Sequence, residues 1–197
     1  MQQTPDQITA AVKERFAKLA RSPQEKQPFA VGPDSAKTLG YDAAEIDALP
    51  VSLTESFAGV GNPLALCELR AGDTVLDFGS GAGMDSILAA RRVGPTGRVV
   101  GVDMTAEMVK KARTNATAAG VANAEFHQAD ADHLPADDNA VDVVISNGVF
   151  NLCVDKPKVL GEAFRVLKPG GRIQMADILL HDNVTQEEVA AKGTWSD

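Results

Sequence analysis

The chain reads as an α/β protein with a doubly wound, mainly parallel sheet and helices on both faces. Three observations carry that reading. Short apolar runs alternate with helical stretches from residue 63 onward, which implies right-handed strand–helix–strand crossovers. Runs such as DVVIS at residues 142–146 are apolar without alternation, as strands covered on both sides must be. The segment TVLDFGSGAGMDS, residues 74–86, runs from an apolar strand through three glycines into a helix, the bend at which such sheets hold ligands.

The elements follow in order. Residues 4–20 form an amphipathic helix: Thr4 is a hydroxyl N-cap, Pro5 needs no N–H partner, and Ile8, Ala11, Val12, Phe16 and Leu19 share one face. Residues 21–63 are rich in Pro, Gly, Ser and Asp, with a short helical piece at Ala43–Leu49. Segments of this kind often cover a binding site. The chain therefore divides into an N-terminal helical and loop appendage, 1–62, covering the site, and a core, 63–197. In the core Leu64–Leu69 is a short helix, Thr74–Phe78 a strand, Met84–Val93 a helix and Arg98–Val102 a strand. Ala106–Ala119 is a helix after Thr105 as N-cap. Ala124–Gln128 and Val141–Ser146 are strands, Lys156–Leu167 a helix and Arg172–Ile178 the fifth strand. The last segment reads as a helix with Thr185 as N-cap and Glu188 at its third position.

Composition narrows the function. The 197 residues are 44% apolar and 23% charged, with a net charge of −8. An acidic surface argues against nucleic acid and anionic membranes as partners. No apolar window is long enough to span a bilayer, and the polar N-terminus does not resemble a signal peptide. The expected setting is the cytoplasm, as a monomer or homodimer. Cys67 and Cys153 lack metal-ligand spacing and read as buried free thiols; no metal site is expected.

The glycine bend selects the ligand. Gly79, Gly81 and Gly83 have GxGxG spacing, whereas dinucleotide folds show GxGxxG around a pyrophosphate. Asp77 stands two residues before the first glycine, where it would repel a phosphate and suit an ammonium group. Asp103 ends the second strand and can accept from both ribose hydroxyls. Asp130, with the backbone of Ala131, follows the third strand and can read an adenine amino group. Together the acids describe a phosphate-free adenosine with a cationic tail, which S-adenosyl-L-methionine matches. Ser80 and Asn147 are further polar contacts. Met104 has two readings, packing on adenine or in the core. Asp85, in the first helical turn, has two readings, a ligand contact or, in first place, an acid that stabilises the helix dipole. Phe57 and Phe150 are candidates for a substrate chamber, and Phe16 reads first as core. No general base is assigned; His133 and His181 have no motif around them.

VLDFGSGAG, VVGVDMTAEMVKKAR, DADHLPADDNAVDVVIS and EAFRVLKPGGRI resemble motifs of the Rossmann-like S-adenosylmethionine-dependent methyltransferases, over about Glu55 to Leu180. Within that class LGYDAAEIDALP, GVGNPLAL and SNGVFNLCVDKPKVLGEAFRVLKPGGR are similar to segments of the arsenite methyltransferase group. That resemblance implies methyl transfer to a small molecule by in-line displacement. The group binds arsenic through cysteines, but Val60 and Gly148 stand where it has thiols, residues 21–40 have none, and Cys67 and Cys153 fall elsewhere. A carbon, nitrogen or oxygen acceptor is therefore expected rather than arsenic. Family members also continue into an antiparallel hairpin beyond the fifth strand, which has no counterpart here. The alternatives are a non-catalytic cofactor-binding module or a truncated methyltransferase. The glycine spacing and Asp77 disfavour a nicotinamide dehydrogenase.

Overall fold

A computed structural model describes residues 4–179 and Val184. The expected helix after Thr185 lies outside the described residues. Five parallel strands form one sheet: β1 (Thr74–Phe78), β2 (Arg98–Asp103), β3 (Ala124–Gln128), β4 (Val141–Asn147) and β5 (Leu167–Ala176), in the order β3-β2-β1-β4-β5. The order reverses between β1 and β4, which opens a crevice over the C-terminal ends of the central strands.

Strand alternation builds two apolar layers. Val75, Val99, Val143 and Ile145 point to one face, against α5 (Met84–Val93) and α6 (Ala106–Ala118). Leu76, Val100, Val102 and Val144 point to the other, against Val159, Ala163 and Val166 of α7 (Lys156–Val166). The N-terminal segment forms α1 (Pro5–Arg21), α2 (Pro33–Thr38), α3 (Ala43–Asp47) and α4 (Val51–Thr54). Ala36, Tyr41, Ile46, Leu49 and Leu53 share the apolar cluster of α5 and α6. Polar clamps reinforce the join. Asn115 in α6 donates to Ala82 O (2.9 Å) and accepts from Ser52 Oγ (2.8 Å). Lys111 donates to Glu55 (2.6 Å) and Ser56 (2.8 Å). No described helix is long and apolar enough to cross a membrane.

Three local expectations change. Leu64–Leu69 is only a 3₁₀ turn at Pro63–Ala65, and the carbonyls of Pro63 and Cys67 accept from Gln174 Nε2, each at 3.0 Å, rather than from a continuing helix. The fifth strand begins at Leu167 with no intervening loop. Leu167 pairs with Val141 and Arg172 with Val143, so residues 168–171 bulge outward at Gly170, whose φ is +81°. Cys67 is exposed and Cys153 half-buried, because neither belongs to a strand or helix face turned into the core.

Candidate functional site

A cavity of about 400 Å³ lies over the tips of β1, β2 and β4 and beneath α1. That volume suits a small molecule. Asp77, Gly79, Ser80, Gly81, Asp103, Met104, Asp130, Ala131 and Asn147 all line it. Gly83 does not. Phe16 and Phe57 do, with Pro5, Thr9 and Val12 of α1; Phe150 is not among the lining residues. His133 lies on a separate polar depression beside Glu162 and Arg165 in the last turns of α7, and His181 is outside the described residues.

The three glycines divide by what faces them. All have positive φ, which L side chains resist. A Cβ on Gly79 would sit 2.2 Å from Val149 Cγ2, and one on Gly83 3.1 Å from Phe126 Cζ and 3.2 Å from Ala112 Cβ. These two make room for protein side chains. Only Gly81, φ +52°, faces open space. Gly79 and Gly81 both line the cavity, and of the two only Gly81 has nothing within 4 Å of where a Cβ would stand. Beside it the buried Ser80 Oγ has no hydrogen-bond partner.

Among the described residues six aspartates line the cavity (77, 85, 103, 130, 132 and 155), and no lysine, arginine or histidine does. Asp77 is buried and accepts from Ser86 Oγ at 2.6 Å. Burial, and then the charge of Asp85, push its carboxyl up to about 8. Asp103 Oδ2 accepts from Gly81 N (2.9 Å) and Oδ1 from Thr105 N (2.8 Å). Burial raises its pKa against the pull of those two donors. Asp130 is exposed and ion-pairs with Lys13 of α1 at 3.1 Å. Asp132 pairs with Lys158 (2.8 Å), and Asp155 caps α7. Met104 lines the cavity and belongs to no buried apolar cluster. Cys153 also lines it; its thiol reaches Val149 O at 3.4 Å, and burial pushes it up to about 11.

Two residues do other work than expected. Asp85, in the first turn of α5, is buried and bonded to side chains from other elements: Oδ1 accepts from Tyr41 Oη (2.5 Å) and Oδ2 from Asn147 Nδ2 (3.0 Å). Asn147 is occupied by protein groups. Its Oδ1 accepts from Val60 N (2.8 Å) and Gly61 N (3.1 Å), and its Nδ2 also donates to Gly61 O (2.9 Å). Neither link is visible locally, since Tyr41 and Val60 lie far away in sequence.

Among the described residues no cluster of His, Cys, Asp or Glu is arranged to hold a metal ion.

A family model described as a methyltransferase domain matches residues 69–196. An arsenite methyltransferase of Halobacterium salinarum is 40% identical over 189 residues, covering 89% of this chain and 48% of that protein. A ubiquinone/menaquinone biosynthesis C-methyltransferase of an Enterobacter species is 45% identical over 107 residues, 53% of this chain and 42% of its own length. The crystal structure of an arsenic(III) S-adenosylmethionine methyltransferase from Chlamydomonas reinhardtii is similar with a TM-score of 0.63 at 40% identity, covering 68% of this chain and 47% of that one. The chain thus spans about half the length of these relatives.

Proposed function

The chain belongs to the S-adenosylmethionine-dependent methyltransferases, and on that premise we propose that it transfers a methyl group to a small organic acceptor within the cavity beneath α1. The observation that carries this reading is a pocket at the strand tips lined by six aspartates, with no lysine, arginine or histidine among the described residues that line it. With Asp130 and Asp132 paired to Lys13 and Lys158 and Asp77 pushed up to about 8, the remaining acids of the wall favour a cation over a phosphate. When bound, S-adenosylmethionine supplies an electrophilic methyl on a cationic sulphur.

The residues fit that group. Gly81 leaves open the space that a Cβ would fill, and the orphaned Ser80 hydroxyl beside it offers a donor. Asp103 would receive the ribose hydroxyls while keeping its bonds to the Gly81 and Thr105 amides. Asp77 would face the ammonium end. Met104, Asp130 and the backbone of Ala131 would border the adenine. Asn147 is bonded to the 59–61 segment and Gly83 is packed against Phe126 and Ala112, so both would support the site from behind. Pro5, Thr9, Val12 and Phe16 of α1 roof one side and exclude water. The chain's part is chiefly positioning and desolvation, which for well-held reactants is worth effective molarities of roughly 10⁵ M or more.

The acceptor is read as carbon, nitrogen or oxygen. Trivalent arsenic favours several soft thiolates. Val60 and Gly148 face each other, with a Gly148 Cβ falling 3.2 Å from Val60 Cγ1, and neither brings sulphur. Cys153 alone lines the cavity with a thiol.

Calorimetric titration tests the cofactor, and transfer from methyl-labelled S-adenosylmethionine into a small-molecule extract tests the reaction. Binding with label in an organic acceptor is expected. Binding without transfer to any acceptor would favour a non-catalytic module. No binding, or transfer to arsenite alone, would refute the proposal.

A further inference from the structure

Residues 59–61, Gly-Val-Gly, lie across the tips of β4 and β5 more closely than any side chain at 59 or 61 would allow. A Cβ on Gly59 would be 2.4 Å from Asn147 Nδ2, and one on Gly61 2.7 Å from Ala176 Cβ. Gly59 also lines the cavity. One side chain, Asn147, holds this segment through both its oxygen and its nitrogen. The two backbone N–H groups at Oδ1 define which way the amide points.

Asn147 is held in turn. Its Nδ2 lies 3.0 Å from Asp85 Oδ2 and 3.1 Å from Tyr41 Oη, and Tyr41 donates to the other oxygen of Asp85. Tyr41 is buried, its ring edge-on to Phe57 with centroids 5.5 Å apart. It does not line the cavity. We infer that Tyr41 is a positioning residue for the cofactor site: through Asp85 and Asn147 it sets residues 59–61 as the wall against which the cofactor is held. The inference rests on the cofactor reading above.

Buried networks of this kind act as a unit, so losing one member disturbs the rest. The groups acting electrostatically on Asp85 are Tyr41 before α3, Asn147 on β4, Asp77 on β1 and Arg92 further along α5. The Tyr41 and Asn147 bonds favour its ionised form against burial.

Tyr41→Phe keeps the ring and deletes the hydroxyl. Amide hydrogen exchange at Val60 and Gly61 should quicken while the β1 and β4 amides keep their protection. Affinity for S-adenosylmethionine and S-adenosylhomocysteine should fall about tenfold or more, the effect of losing a hydrogen bond to a charged group. The acid limb of the affinity–pH profile should move to higher pH, and in an Asp85→Asn background Tyr41→Phe should move it no further. Equal exchange and affinity within twofold of the unaltered protein would overturn the inference. Loss of strand protection would also overturn it, since the hydroxyl would then serve folding. If the unaltered protein binds neither probe, the cofactor reading falls, and exchange at Val60 and Gly61 alone decides whether Tyr41 sets the segment.

Discussion

Asp103→Asn separates the two duties of a single carboxylate. Its oxygens each accept one backbone N–H, from Gly81 at 2.9 Å and from Thr105 at 2.8 Å. An asparagine keeps one acceptor and turns an NH₂ toward the other amide. One hydrogen bond to a charged group is lost, about 1.5–3 kcal/mol of stability. At roughly 2–4 °C per kcal/mol for a chain of this size, the melting temperature should drop by about 3–12 °C. If the same carboxylate also receives the ribose, binding loses a charge-assisted bond, and S-adenosylhomocysteine affinity should fall by roughly 10–150-fold. Scanning fluorimetry reads the first effect and calorimetry below the melting range reads the second. Asp47→Asn, on an exposed ion pair with Lys37, is the control and should leave both within error. A lowered melting temperature with affinity held within threefold would refute the ribose assignment and leave Asp103 as a loop brace.

Gly81→Ala should fold, at a cost of about 1–2 kcal/mol for an L-residue in the left-handed region, and lose cofactor binding. Gly83→Ala meets Phe126 and Ala112, so fluorimetry should show a further loss of about 1–3 kcal/mol from overpacking, with affinity kept in the folded fraction. Burial, and then the charge of Asp85, push the Asp77 carboxyl up to about 8 from an ordinary 3.8. The folded protein therefore holds a proton that the unfolded chain has released, so this residue's contribution to stability is full below about pH 4 and is lost as pH rises toward 8. Urea midpoints at pH 5, 7 and 9 should show that decline in the unaltered protein relative to Asp77→Asn, and parallel curves would refute it. Iodoacetamide at neutral pH should label exposed Cys67 faster than Cys153, whose thiol is held up near 11, by on the order of tenfold or more; mass spectrometry reads the ratio.

The strands were legible because each is a short apolar run bounded by turn residues. β1 and β3 coincide with their expected ranges, and β2 and β4 run one residue further, to Asp103 and Asn147. Those extra residues are polar, which is why a hydrophobic pattern stops short of them. Three of the six lining aspartates, 77, 103 and 130, were legible from their places at strand ends; Asp85, Asp132 and Asp155 were not. What each glycine faces was not. Val149, Phe126 and Ala112 lie 29–70 residues from the glycines they crowd, and no local pattern reports such a neighbour. Asp85 shows the same limit: an acid in a first helical turn has a sufficient local explanation, so nothing in the sequence points to Tyr41. Phe16 sits on a helix face that reads as ordinary core, and only the placement of α1 over the strand tips brings it to the cavity.

The bulge at residues 168–171 lies at the start of β5, while Gly61 rests on Ala176 at its other end. Between them the strand has no slack: Arg172 to Ala176 match Val143 to Asn147 residue for residue. One residue added beyond the bulge would turn every later side chain through the sheet. Gln174 would then lose the Pro63 and Cys67 carbonyls, and a different side chain would meet Gly61. A corner some 17 Å away, at about 3.3 Å per residue, therefore decides which side chain of β5 meets the Gly61 segment.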